Sequence, residues 1–467
     1  MTAGSSPVPV PVRPGPPPRV SIPLPLFSLP LRRFLVTEAG GGALLLVAAV
    51  AALVWANLPG AGYQEFWGTE VAVRVGDATL ALDLRHWVND AAMAGFFLVV
   101  GLEISRQLTV GELHSPRLVF VPALAAVGGL LLPAGLYLAI NHGGTGAAGW
   151  GVPMSTDTAF VIGILALFGP RCPDQLRLFL LTLSIVDDIG AIGVLAVFYT
   201  PHVAPVPLLV AAGLVAVLAG LRWARVWQLR PYVLVGIALW AAVYASGVHP
   251  TLAGVLLGLL VPAGPVEPAQ GDRVRYFGRA VIENADPVRA RLAASAARAT
   301  VPANDRLQDA LHPVSAYLVV PVFGLANAGV RLDAATLRQA ATSPVTIGVV
   351  VALLVGKTVG VAGFSAVALR TRVGDLPGRV RYGHLVGGAL LSGIGFTIAL
   401  FIADLAFTDP DLRRQATIGA LAGSLVAAVL GSLALRYLGE RLPLCSVDEE
   451  EVPDLPDGPW HDPGRPG

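Results

Sequence analysis

Charge is scarce in this sequence. Asp, Glu, Lys and Arg make up 13% of its 467 residues, hydrophobic residues make up 54%, and the mean hydropathy is +0.68. Ordinary soluble domains carry about 25% charged residues, so this composition excludes a soluble globular protein of this length. Lysine is nearly absent: 31 arginines accompany one lysine, Lys357. Cysteine is limited to Cys172 and Cys445, both in segments read as cytoplasmic. Two free thiols exclude a disulfide framework. A net charge of +1 says nothing about nucleic acid, and no basic patch sits on a soluble domain, so no nucleic-acid partner is expected. The first 30 residues hold ten prolines and no apolar run ahead of the arginines, which excludes a signal peptide and reads as a disordered tail.

What the chain has in abundance is apolar stretches long enough to cross a bilayer, which takes roughly 20 residues. Twelve spans are expected, at 36–57, 84–105, 117–140, 150–168, 174–199, 204–221, 229–246, 248–261, 312–330, 344–369, 385–407 and 414–437. Arginine placement supports the count. With the N-terminus inside, 25 arginines fall on the inner side, and six (Arg74, Arg85, Arg331, Arg338, Arg413 and Arg414) fall outside. Cytoplasmic loops are enriched in this way, so both ends are expected in the cytoplasm. The division is a Pro-rich tail at 1–32, a twelve-helix all-α membrane domain at 33–440, and an acidic disordered tail at 441–467.

Two connections have a pattern of their own. EVAVRVGDATLALD at 70–83 alternates and turns at Gly76-Asp77, the signature of an outer-face hairpin. An isolated hairpin is marginal in water, so it packs either on a second copy or on its own chain. The connection at 262–311 is Arg- and Ala-rich and reads as partly helical.

Five charges are singled out toward the middle of the apolar spans: Lys357, Asp90, Asp157 and the adjacent pair Asp187 and Asp188 in LSIVDDIGAI. Each costs at least ~3 kcal/mol at mid-membrane, and such groups mark ion or proton pathways. Arginine holds its proton, whereas a buried lysine can release one, so Lys357 suits both an ion pair and proton handling. Neighbouring helical residues point about 100° apart. One aspartate can therefore face a helix bearing Lys357 while the other faces a cavity. A carboxylate there binds a proton or a hard cation, but not both at once.

Two spans carry helix breakers. Gly151, Pro153 and the run Ser155-Thr156-Asp157-Thr158 interrupt the fourth, and Gly393 and Gly395 in LLSGIGFTIAL interrupt the eleventh. Unpaired backbone groups at membrane depth are tolerated where they line a cavity or meet compensating charge. Paired breaks in spans three to five and ten to twelve match an inverted-repeat transporter. Asp157 would neutralise positive half-helix ends there, and Lys357 negative ones.

These residues resemble the NhaA-type sodium/proton antiporters of bacterial plasma membranes, over roughly residues 33–440. NhaA is itself one of the proteins from which the broken-helix inverted-repeat pattern is drawn. The resemblance rests on WVNDAAMAGFFLVVGLEISRQL at 87–108, MSTDTAF at 154–160, IVDDIGAI at 185–192 and GVHPTLAGVLLG at 247–258. It continues through LHPVSAYLVVPVFGLANAGV at 311–330, GKTVG at 356–360 and SGIGFTIALFIADLAF at 392–407, all in order.

The resemblance implies an inner-membrane transporter with no enzymatic activity and no cofactor, exchanging Na+ or Li+ for H+ by electrogenic alternating access. Asp188 would be the principal cation and proton carboxylate. Asp187 would be its partner, paired with Lys357 in one state and released in another. Thr156 and Asp157 would lie at the crossing of the broken helices, and Asp90 would tune the site. Glu103, Arg106 and His249 match positions linked to pH response, although Gln107 stands where the family often has glutamate and His249 also reads as a satisfied helix-end histidine. A homodimer through hairpin 70–83 is implied, within membrane lipid. The competing expectation is a Na+-coupled symporter of an organic anion on a related crossed-helix fold. An intramembrane aspartyl protease is excluded because the aspartates are adjacent and no GxGD occurs, and a primary pump because no nucleotide-binding motif is present.

Overall fold

The computed structural model describes residues 38–76, 78–109, 116–168, 174–200, 203–224, 226–264, 268–284, 286–371 and 382–441. The two expected tails and both cysteines lie outside the described residues. The main helices are α1 (Glu38–Asn57), α2 (Leu84–Thr109), α3 (Pro116–Ile140), α4 (Thr158–Phe168), α5 (Asp174–Phe198), α6 (Pro205–Trp223) and α7 (Leu229–Ala245). After them come α8 (Thr251–Leu260), α9 (Ala303–Asn327), α10 (Pro344–Arg370), α11 (Tyr382–Leu391), α12 (Phe396–Ala406) and α13 (Pro410–Arg441). Among the described residues, eight helices are long and apolar enough to cross a membrane. The pair α11–α12 forms a further span bent by 44°. The helices α7 and α8 are apolar but shorter.

The helices pack where side chains are absent. In α2 and α8, Gly101 lies so close to the facing backbone that an added Cβ would stand 2.7 Å from the Val255 carbonyl oxygen, and Gly254 and Gly258 sit equally tightly against α2. In lipid there is no hydrophobic drive between helices, so small residues that let backbones approach supply the contact instead. Gly356 and Gly360 of α10 play the same part against Pro133 and Gly128 of α3. One apolar cluster joins α3, α4, α5, α11 and α13 through Val121, Leu165, Leu180, Leu385 and Leu435. Another joins α2, α6, α7, α8 and the start of α9 through Leu102, Leu218, Leu239, Leu257 and Leu307. A central cluster with Phe97, Phe323 and Phe401 lies between them. Large apolar side chains such as Val47, Val197 and Leu209 face outward, the arrangement that lipid favours.

The strand pair is present: β1 (Glu70–Val75) runs antiparallel to β2 (Ala78–Asp83), with Val75 opposite Ala78 and Glu70 opposite Asp83. Gly76 at φ 61° takes the left-handed position that a two-residue turn requires. Trp87 Nε1 donates to the Val71 carbonyl at 2.9 Å and anchors the hairpin to α2. The connection expected at 262–311 contains Pro268–Glu283, Pro287–Ala299 and the start of α9.

Two features of the spans stand out. The fourth is interrupted where its helix breakers stand. Its first half is a 3₁₀ turn, Thr145–Gly151, followed by a turn and then irregular chain to Asp157. Glycines cause this: a Cβ on Gly151 would stand 2.7 Å from the Tyr199 hydroxyl, and Gly149 packs as closely on Phe407 and Tyr137, so the segment threads between rings that an ordinary helix would strike. The long helices are also not uniform. Single π-turns interrupt α2 at Trp87–Ala92, α9 at Ser315–Val319 and α10 at Ala352–Gly356. The last delivers Lys357, and the first holds Asn89 and Asp90. Such turns recur at functional sites because they re-aim the side chains that follow.

Candidate ion site at the helix crossing

The irregular segment before α4 crosses the link between α11 and α12 in direct backbone contact. Asp157 N–H donates to the Ile394 carbonyl at 2.6 Å. Gly395 is required here, because a Cβ would stand 2.7 Å from the Ser155 carbonyl oxygen. Its N–H reaches Ser424 Oγ on α13 at 3.3 Å.

Asp157 sits where two helices begin. Its carboxylate accepts from Thr397 N–H at 3.0 Å, from the Thr397 hydroxyl, and from Phe160 N–H at 3.4 Å. Phe160 opens α4 and Thr397 opens α12, so one buried carboxylate meets the unsatisfied N–H groups and positive dipole ends of both half-helices.

Lys357 and Asp187 form an ion pair at the crossing, Nζ to Oδ2 at 2.5 Å, with both side chains fully buried. Thr156 joins them: Lys357 Nζ donates to its Oγ1 at 3.1 Å. The Thr156 hydroxyl in turn lies 2.7 Å from Asp187 Oδ2 and 2.9 Å from the Ser392 carbonyl. That hydroxyl has one proton for two acceptors, so Thr156 can favour either the carboxylate or the end of α11. The ammonium of Lys357 contacts Asp187 and Thr156, and Thr156 in turn reaches the end of α11.

Asp188 points elsewhere. Its Oδ1 accepts from Ser155 Oγ at 3.2 Å, and no cation pairs with it among the described residues. It is 8% exposed, whereas Asp187 and Lys357 are at 0%. The helix thus separates the neighbours: one carboxylate is neutralised and sealed, and the other is unpaired and at the edge of access. The crossing collects three carboxylates against one ammonium, and the helix ends offset only Asp157. A cation or a proton is the missing charge.

A family model described as Na+/H+ antiporter 1 matches residues 32–435. The chain belongs to this family. A Frankia alni protein named Na+/H+ antiporter NhaA 3 is 61% identical over 458 residues, covering 98% of each chain. Two proteins named Na+/H+ antiporter NhaA 1, from Mycobacterium sp. (strain KMS) and Salinispora arenicola, are each 44% identical. Their alignments cover 84% and 89% of this chain, and the chain spans 64% of the length of each. As an antiporter-family member the protein is a transporter and not an enzyme, and needs no cofactor.

The other residues singled out in this family member lie away from the crossing. Asp90 and His249 meet each other, Oδ1 to Nε2 at 3.7 Å, both largely buried. His249 also contacts Thr251 Oγ1 through Nδ1 at 2.7 Å, at the start of α8, and stacks edge-on against Phe401 at 5.1 Å. Glu103 and Arg106 do not pair together. Glu103 accepts from Gln107 at 2.7 Å and from Gln308, and Arg106 lies 3.7 Å from Asp305, so both face the start of α9.

Sequence reasoning missed a further, half-buried charge. Asp404 of α12 pairs with Arg413 at 2.9 Å and accepts from Asn89 at 2.8 Å; Asn89 in turn exchanges hydrogen bonds with Asn327. This network ties α2, α9, α12 and α13 together. Asp404 stood inside an expected span, in FIADLAF, and the presence of Arg413 nine residues on was the available signal.

Proposed function

We propose that the chain exports Na+ in exchange for H+ across the bacterial plasma membrane by alternating access, with Asp188 as the carboxylate that binds each in turn. Sodium/proton exchange is the activity named in relatives that match nearly the whole chain. The observation that carries the assignment of Asp188 is its lack of a cationic partner among the described residues, beside an ion pair that occupies the only lysine.

The chemistry follows from that imbalance. A bare carboxylate in low dielectric is costly, so Asp188 crosses best with a proton or an alkali cation on it. The two compete for the same oxygens, which makes their flows opposed and coupled. The Asp187–Lys357 pair holds the neighbouring charge cancelled. If cation binding releases Lys357 from Asp187 and frees a second proton, each cycle moves net charge and the membrane potential drives sodium outward. Li+, with the same charge and hard-oxygen preference, is a further substrate of this reading. A symported organic anion would need a free cationic contact at the crossing, and Lys357 is already engaged.

Eight long helices, the bent pair, two short apolar helices and the interrupted segment from Thr145 to Phe168 support twelve crossings. Twelve crossings put both ends on one side, and the arginine distribution favours the cytoplasm for that side. Hairpin 70–83 would then lie outside, where it can pair with a second copy.

The test uses proteoliposomes with an imposed pH gradient, to which Na+ is added while internal pH is followed. Collapse of the gradient by wild type, with Asp188→Asn silent, supports exchange at Asp188. A gradient that Na+ leaves untouched between pH 6 and 9 overturns the antiporter reading.

A further inference from the structure

We propose that the hydroxyls of Ser155 and Ser184 are oxygen ligands of the transported cation and set its affinity. The proposal deepens, and rests on, the assignment of the cation to Asp188. Ser155 is buried on the irregular segment before α4, and its Oγ lies 3.2 Å from Asp188 Oδ1. Ser184 lies one helical turn before Asp188 on α5. An i, i+4 spacing puts the two on one face.

Ser184 is 1% exposed, and its Oγ has no hydrogen-bond partner among the described residues. A buried helical serine ordinarily bonds back to a carbonyl one turn earlier, so an orphaned hydroxyl at this depth needs a reason. Asp187 carries a second orphan: Oδ2 takes both Lys357 and Thr156, while Oδ1 takes neither and is buried. Ser155 thus contacts Asp188, Ser184 shares its helix face, and the adjacent Asp187 keeps one carboxylate oxygen without a hydrogen bond. All are hard oxygen donors, the set a small cation with a tight hydration shell accepts in exchange for water.

The hydroxyl rotor suits both halves of the cycle. Toward a bare carboxylate, Ser155 donates, as it does here. With a proton on Asp188 it can accept, and with a cation bound it can turn a lone pair to the ion. Neutral ligands hold the cation without adding a charge that would attract a second proton. They therefore raise cation affinity against proton affinity at one carboxylate. Li+, the smaller ion, needs fewer oxygens than Na+, so the two serines weigh more heavily for Na+.

The experiment compares wild type, Ser155→Ala, Ser184→Ala and the double variant in proteoliposomes, measuring apparent KM for Na+ and Li+ at fixed pH. Alongside, the rise in Tm of the purified proteins on adding Na+ reads binding without transport. Each single variant is expected to raise KM for Na+ about five- to tenfold, near the value of one lost ligand contact. Vmax at saturating Na+ is retained, the effect on Li+ is smaller, and the Na+-induced Tm shift is lost in the double variant. Unchanged KM and unchanged Tm shifts in both single variants overturn the proposal, and so does a fall in Vmax at constant KM. A wild type that moves no protons on Na+ addition is a different failure, that of the antiporter reading itself.

Discussion

Asp187 and Lys357, 170 residues apart in sequence, meet at 2.5 Å with neither side chain open to solvent, and Asp188, the very next residue, meets no cation among the described residues. The helical turn of about 100° per residue divides the two carboxylates between a sealed ion pair and a buried position held by Ser155.

That pairing makes Lys357→Ala costly for the fold as well as for transport. Removing one partner strands a buried charge, which costs about 3–5 kcal/mol, whereas removing both costs far less. Lys357→Ala is therefore expected to lower the Tm of the purified protein, and Asp187→Asn in the same chain to restore most of it. A double variant no more stable than Lys357→Ala would show that the two residues are not energetically paired.

Asp157 is expected to matter through two helix ends at once. Asp157→Ala should cost about 2 kcal/mol, because the N–H groups opening α4 and α12 lose a shared acceptor. Asp157→Asn keeps an acceptor oxygen and should cost less, and Thr397→Val should cost about 1 kcal/mol. Thermal unfolding ranks the three, and an Asp157→Ala protein as stable as wild type would refute the capping role.

The Asp404–Arg413 pair links four helices and is partly open, with side chains 18% and 35% exposed. Arg413→Ala is expected to destabilise by about 1–2 kcal/mol, less than Lys357→Ala because water can reach the stranded carboxylate. Asp404→Asn combined with Arg413→Gln should recover part of that loss in the same Tm assay.

Outside the apolar helices, Asp333 caps the helix Ala334–Thr342 by accepting from Thr336 N–H at 2.7 Å, and that backbone hydrogen bond holds its carboxyl below the usual 3.8. A carboxyl whose folded value is depressed stabilises above its unfolded value, and the effect is lost as pH falls through the lower folded one. Hydrogen exchange of residues 334–337 is thus expected to be faster in Asp333→Ala than in wild type at neutral pH. The difference should close as pH drops below 3.8. A difference independent of pH would mean the carboxylate is not the cap.

If the hairpin 70–83 pairs two copies, deleting it should shift the detergent-solubilised protein from dimer to monomer by light scattering. Transport would remain, since no described residue of the hairpin touches the crossing. A dimer that survives the deletion would move the interface elsewhere.

The sequence alone determined the class and much of the machinery. Scarce charge over long apolar runs required a bilayer, because no other solvent would tolerate that surface. Glycine, proline and a polar run at 151–158, with Gly393 and Gly395 later, marked both interruptions, since local backbone chemistry sets where a helix must stop. Asp157, Asp187, Asp188 and Lys357 stood out because a charge in an apolar span has no bland explanation. What only the tertiary structure decided was partnership beyond the Asp187–Lys357 pair that the family resemblance implied. No spacing said that Asp188 would be left to Ser155, that Asp90 would find His249, or that Asp404 would join Asn89 and Arg413. Those choices depend on how deeply helices distant in sequence sit against one another. The glycine contacts of α2 with α8 and of α3 with α10, together with the π-turn ahead of Lys357, set that depth. Local pattern can say that a residue needs a partner, but only packing in three dimensions brings a particular one within hydrogen-bonding reach.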